Sequence, residues 1–332
     1  MANIEKIYLD SNICRYPHEV LQYGPYGGLA IDLVVWVARE TFVPSFRQNL
    51  ALLLDTPNVT FHAADFYSVF GHRRGALLSA LTKGGEVIFA MRPKHRETYG
   101  RTILDATLYS MSMHSMGFES REYRVAGPRR ETRYTLDTLK LFKQLVITRK
   151  DRSFVRYNMS VNPDFVQNNH FLSQVIDLGD YVSLRTAGTE NDPDGSSWTV
   201  GRFLYLRMRY AWGLWCTKDN KSKSKFIENF NELKEIAGFY KTTNKKAASL
   251  LRGYIARVCA LESIPFTAEV IKIESTAKRQ VDGSIEDAYQ VVLAKKPSQE
   301  KAEKEQLKHQ QEQAQRQQIR MQFQDQPTHK RS

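Results

Sequence analysis

The chain has 332 residues and carries 48 Lys and Arg against 36 Asp and Glu, a net charge of +12 that favours a polyanionic partner. With 42% hydrophobic and 11% aromatic residues it has the apolar material for globular cores, and its length suggests two domains, so wholesale disorder is excluded. The longest apolar stretch, Gly27 to Ala38, is broken by Asp32 and falls short of the ~20 residues that cross a bilayer.

The N-terminal start has no basic segment followed by an apolar one, and the three cysteines, Cys14, Cys216 and Cys259, fit neither a disulfide framework nor a zinc spacing. The expectation is a cytoplasmic protein with no membrane contact, no metal and no cofactor. Residues 1–62 form an N-terminal segment that cannot be assigned beyond a helical character. It is mildly acidic, with four basic against seven acidic residues up to Phe70.

Residues 63–184 are expected to form a first winged-helix-like domain. "AADFYSVFG" from Ala63 to Gly71 places Phe66, Val69 and Phe70 on one face and ends on a glycine stop. "HRRGALLSAL" follows as a short candidate helix with Arg73 and Arg74 near its start. A longer amphipathic pattern runs from Thr98 to Phe118, with Ile103, Thr107, Leu108, Met111 and Ser115 on one side and Arg101 near its beginning. Which of these arginines lies on a reading helix stays open at this point. Three strand-like runs come next, "SREYRVA", "TLKLFKQLVITRK" and "SFVRYNMSVNPDF", with a turn at Lys150 to Arg152 between the last two. Between Arg121 and Arg156 eleven basic residues face only four acidic ones. Arg149, Lys150 and Arg152 are therefore candidates for a wing that touches phosphates.

Residues 185–200, rich in Gly, Pro, Asp, Asn and Ser, read as a loop between domains. Residues 201–297 are expected to form a second winged-helix domain. "KFIENFNELKEIAGF" spaces Phe226, Ile227, Phe230, Leu233, Ile236 and Ala237 by three and four, which predicts one helix that Gly238 stops. A second helix carries Ala247, Leu250, Leu251, Tyr254, Ile255, Val258, Leu261 and Ile264 on one face. Thr243 or Asn244 is its N-cap and Pro265 its end. Its opposite face carries Lys245, Ser249 and Arg252, with Lys246 beside them. Two strand-like stretches, "FTAEVIKIES" and "DAYQVVLAKK", flank an Asp282-Gly283 turn and predict a hairpin with Lys278 and Arg279 at its basic tip. Helix, turn, helix and hairpin is the order in which the second helix enters a major groove and the hairpin reaches phosphates. Residues 298–332 are Gln-rich and too poor in large apolar residues for a core, so a disordered tail or lone helix is expected.

Three patterns carry a family resemblance: "DFYSVFG" followed by a long helix and strands, "RYNMSVNPDFV" at Arg156 to Val166, and "GRFLYLRMRYAWGLW" at Gly201 to Trp215 followed by "FNELKEIAGF". In this order they resemble plasmid replication initiators of the tandem winged-helix type. The resemblance implies an α+β fold with two winged-helix domains, sequence-specific binding of double-stranded DNA at repeated origin sites, and recruitment of a host initiator and replicative helicase. It also implies a homodimeric form that represses the protein's own promoter. A winged-helix transcriptional regulator is the alternative, with a DNA strand-transfer enzyme behind it.

Enzymatic readings find little footing in the residues. There is no G-x-x-x-x-G-K-[ST], and "YGPYGG" at Tyr23 to Gly28 lacks the spacing of a nucleotide loop. Eight histidines form no H-x-H pair and no H-E-x-x-H, and the sixteen tyrosines have no recognisable activating partner. The expectation is a binding protein with no catalytic residues.

Overall fold

A computed structural model describes residues 5–19, 27–42, 58–71, 102–113, 116–126, 129–149, 155–171, 173–184, 196–217, 220, 223–279 and 285–297. The fold class is α+β, and every strand pairing among these residues is antiparallel. In chain order the elements are β1 (Lys6–Asp10), α1 (Ser11–Arg15), α2 (Gly27–Glu40), β2 (Asn58–His62), α3 (Ala63–Phe70), α4 (Ile103–Met113), β3 (Met116–Ala126), β4 (Arg129–Leu139), β5 (Phe142–Arg149) and β6 (Val155–Val161). They continue with α5 (Pro163–Phe171), β7 (Ser173–Asp177), α6 (Leu178–Ser183), α7 (Ser196–Trp215), β8 (Lys225–Glu228), α8 (Phe230–Ile236), α9 (Asn244–Ala260), β9 (Phe266–Arg279) and β10 (Ile285–Lys295).

Residues 1–62, expected to be helical, hold among the described residues the strands β1 and β2 beside the helices α1 and α2, and α2 and β2 pack with the first unit. From Gly28 to Ala38 α2 is apolar apart from Asp32, a pattern stable only when surrounded, and each of these residues is buried. β2 then adds to β6, and β6 to β5, giving the sheet order β2-β6-β5. Trp36 of α2 packs against Phe61 of β2 and Phe66 of α3, with ring centroids 5.6 and 5.8 Å apart. The first unit therefore runs α2, β2, α3, α4, β5, β6, with the β3–β4 hairpin inserted after α4.

The second unit repeats this order as α7, β8, α8, α9, β9, β10, and its sheet order, β8-β10-β9, is the same. In both units a strand passes directly or through one residue into a short helix that ends on a left-handed glycine. Gly71 has φ 65° and Gly238 φ 73°, a region that penalises any side chain with a Cβ. No fixed sequence period marks this repeat, because the hairpin insertion and the connecting elements displace the second copy.

Several boundaries differ from the sequence reading. The helix expected over Lys225 to Phe239 is a strand followed by a helix. Asn229 breaks the run, its side chain accepting from the backbone N–H of Asn231 at 2.9 Å and of Glu232 at 3.5 Å. Phe226 and Ile227 lie opposite Leu293 and Val292 of β10, and Ile227 is 62% exposed. The pattern from Thr98 to Phe118 also divides, since α4 ends at Met113 and Met116 opens β3. The run from Thr138 to Lys150 is interrupted at Lys140 and Leu141, where the Leu141 carbonyl accepts from the N–H of Asn162. α7 begins at Ser196, inside the stretch read as a loop to residue 200, and α9 ends at Ala260, ahead of Pro265. The short helix expected at residues 72–81, residues 185–195 of the loop, and the 298–332 tail lie outside the described residues.

The two units are joined by a small sheet in which β1 pairs with β7, from Lys6 opposite Asp177 to Asp10 opposite Ser173. Buried apolar residues of both units form one contiguous cluster. Among the described residues no helix is long and apolar enough to cross a membrane.

Candidate nucleic-acid interface

α9 is amphipathic in the expected sense. Ala247, Ala248, Leu251, Ile255, Val258 and Cys259 are buried, while Lys245, Lys246, Ser249, Arg252, Gly253, Ala256 and Arg257 are exposed. Leu250, expected in the core, is 39% exposed, at the border of the two faces. The helix carries four cations and no carboxylate. Lys245 and Lys246 stand in its first turn, against the positive end of the helix dipole, where a cation costs stability rather than adding to it. Lys245 is partly compensated by the Asp287 carboxylate of β10, which it helps to hold in its charged form, and both lysines stay exposed to solvent.

Between the cations the exposed face is made of small residues. Ser249, Gly253 and Ala256 follow at helical spacing, and a Cβ added at Gly253 would meet nothing within 4 Å. This bare strip lets a groove wall approach the helix axis closely. Its sequence signal is small residues spaced by three and four on the polar face, a pattern that the emphasis on charge passes over.

The orientation of α9 is fixed by Asn244, its first residue. The Asn244 side-chain amide donates to the Asp287 carbonyl of β10 at 3.1 Å, and its oxygen accepts from Lys234 Nζ of α8 at 2.8 Å. The turn between α8 and α9 is therefore tied to the hairpin. Thr243 occupies the N-cap position without a side-chain capping bond. Lys272 and Asp287 form an ion pair of 2.7 Å across the hairpin, and hydrogen bonding to Lys272 holds the Asp287 carboxyl below the usual carboxylate range.

Arg252, expected to reach base edges, is exposed, yet its Nη2 donates to the Val270 carbonyl of β9 at 3.1 Å. One donor of the guanidinium thus steadies the side chain against the sheet, and Arg has five donors in all. Lys278 and Arg279 are the last two residues of β9, opposite Glu286 and Ile285, so their backbone lies at the tip end of the hairpin as expected. Arg149 ends β5 opposite Val155, at the corresponding turn of the first unit. Lys150, Arg152, Arg73, Arg74 and Arg101 lie outside the described residues.

Among the described residues, α4 and α9 differ in exposure. In topological position α4 matches α9, but Leu104, Asp105, Ala106, Thr107, Leu108, Ser110 and Met111 are all buried. Asp105 accepts from Tyr157 Oη of β6 at 2.8 Å, which fastens the helix to its own sheet. Burial, with the neighbouring carboxylate, pushes the Tyr157 hydroxyl far above its ordinary range, so it stays a donor. Among the described residues, the exposed cationic helix face lies on α9 of the second unit.

Not every cation of the second unit faces solvent. Three of its arginines, all on α7, serve the fold. Arg202 is fully buried, Arg207 pairs with Glu228 and Glu232 at 2.8 and 2.7 Å, and Arg209 donates to the carbonyls of Val175 and Ser263. Their spacing in "GRFLYLRMRYAWGLW" resembles that of surface cations, and only the packing of α7 between the units shows otherwise.

No family model matches the chain, and no curated protein matches it. Among solved structures, domain 2 and domain 3 of RctB align with 80% of this chain and 81% of that chain, at 11% identity and a TM-score of 0.37. A likeness that loose carries no function across.

Proposed function

We propose that this chain is a sequence-specific double-stranded DNA-binding protein in which both units are winged helices and α9 is the reading helix. The observation that carries this reading is the exposed face of α9: four cations, no carboxylate, a strip of small residues, and two lysines set against the helix dipole. A major groove about 12 Å wide admits one α-helix, and a helix with small residues at its centre and cations at its rim suits that space. In this reading Lys278 and Arg279, at the end of β9, add phosphate contacts, as does Arg149 at the end of β5. The biological role we assign is initiation of plasmid replication at repeated origin sites, with a host initiator, a replicative helicase and a second copy of the chain as partners. In this reading the chain binds DNA and does not cleave it.

The test is selection of duplex oligonucleotides from a random pool, followed by footprinting on DNA flanking the gene. Enrichment of one motif, repeated beside an AT-rich tract, is the expected result. A footprint confined to one promoter would make the chain a regulator, and a pool that never enriches would refute sequence-specific binding. Double replacement of Lys278 and Arg279 by Ala should weaken binding to all duplexes alike and lower its salt dependence. Incubation with supercoiled DNA and a divalent metal should leave it intact, and a nicked product would make the chain a strand-transfer enzyme.

A further inference from the structure

Where the two units meet, two opposite charges are buried completely. Asp32 of α2 and Arg202 of α7 both have 0% side-chain exposure. Arg202 Nη1 contacts both carboxylate oxygens, and its Nε donates to the Tyr181 carbonyl of α6 at 3.3 Å. The Tyr181 hydroxyl donates to Asp32 Oδ1 at 2.8 Å. The guanidinium carbon stands 4.7 Å from the Tyr181 ring centroid and 5.8 Å from that of Phe70 in α3. One cluster thus draws on the first unit, the connecting helix and the second unit.

A contact made only of apolar side chains tolerates sliding, because dispersion and burial have little directionality. A buried ion pair does not, since any shift leaves a charge desolvated without its partner. The surrounding bonds act in the same sense. Arg207 Nη1 of α7 donates to the Arg15 carbonyl of α1 at 3.1 Å, and the Ser263 N–H, beyond α9, donates to Asp180 of α6 at 2.7 Å. Tyr205 of α7 meets Ser263 Oγ at 3.0 Å while accepting from the Asp177 N–H at 3.0 Å.

We propose that Asp32, Arg202 and Tyr181 are positioning residues that hold the two units in one fixed relative placement, so that a duplex meets α9 and the first unit as a single rigid body. The consequence for DNA rests on the function proposed above, whereas the fixed placement does not. A rigid body accepts one spacing between the segments its units touch, which would make the cluster a determinant of site geometry without touching DNA.

The experiment measures the distance between spin labels at Thr60→Cys on β2 and Glu269→Cys on β9, in a full-length Cys216→Ser background that removes the exposed native thiol. The unaltered cluster should give one narrow distance population, unchanged by saturating duplex from the selected pool. The double variant Asp32→Leu with Arg202→Met, which refills the site with apolar side chains, should lose that single population. Arg202→Lys keeps the charge without the fork and should lose it too, which guards against a double variant that fails to fold. A narrow distance retained by a folded variant would remove the positioning role. A broad or DNA-shifted distance in the unaltered protein would overturn rigidity. A narrow distance with no DNA binding would sink the proposed function and leave the placement standing.

Discussion

Replacing Arg202 by Met leaves the Asp32 carboxylate in a site with no solvent exposure after removal of its countercharge. Loss of one partner from a buried ion pair typically costs ~3–5 kcal/mol. Asp32→Leu should cost a similar amount, since it strands a guanidinium that is equally buried. The double variant removes both desolvated charges and places apolar side chains beside Phe70 and Tyr181, at the cost of the bonds that the Tyr181 hydroxyl and carbonyl make to Asp32 and Arg202. Such replacements are often neutral or stabilising by about 1–4 kcal/mol. The expected outcome is therefore strong non-additivity, with the double variant near the parent and each single variant several kcal/mol below it. Urea unfolding, with midpoints and slopes extrapolated to water, provides the four stabilities of the cycle. Two single losses that simply add in the double variant would refute the reasoning, because the charges would then not be satisfying one another.

Lys245→Ala with Lys246→Ala should weaken binding to any duplex and reduce the slope of log affinity against log salt by about 2, if both lysines meet phosphates. The same change should leave stability nearly equal, because relief of the helix dipole, roughly 0.3–1 kcal/mol per site, is offset at Lys245 by loss of its attraction to Asp287; a marked loss on thermal melting would assign the lysines to the fold. Arg252→Ala should erode preference among sequences by ~1–3 kcal/mol in competition binding, and an equal loss on random DNA would reassign it to phosphates. Asn229→Ala removes the α8 cap and should cost about 1 kcal/mol in chemical denaturation, with no change in the bound motif. Burial drives the Cys14 thiol well up and the Cys259 thiol to about 11, while Cys216 is exposed. A thiolate reagent at neutral pH should thus modify one cysteine in native protein and three after unfolding, and rapid native modification of all three would contradict the packing.

How much of this was legible depends on how far apart the deciding residues are. α9 was readable because its buried and cationic faces are both encoded by a spacing of three and four within 17 residues, and its hairpin because the Asp282-Gly283 pair and flanking β-branched residues are local signals. Phe226 and Ile227 were misassigned because their spacing to Phe230 suits a helix; what makes them a strand is β10, more than sixty residues later. β2 was missed for the same reason, since its partner β6 begins only at Val155. The exposure of a helix face was equally beyond the local pattern, since α4 looks amphipathic but is buried from Leu104 to Leu108.

By itself, then, the sequence determined the α+β class, the cationic helix and the hairpin beside it, all consequences of patterns a few residues long. Tertiary structure alone decided that α2 and β2, before Ala63, pack into the first unit, that Arg202 is a buried tie to Asp32, and that α9 is exposed where α4 is largely buried. Strand pairing and the burial of charge depend on which distant segments become neighbours, and a helical arginine has the same local pattern whether it faces water or another helix.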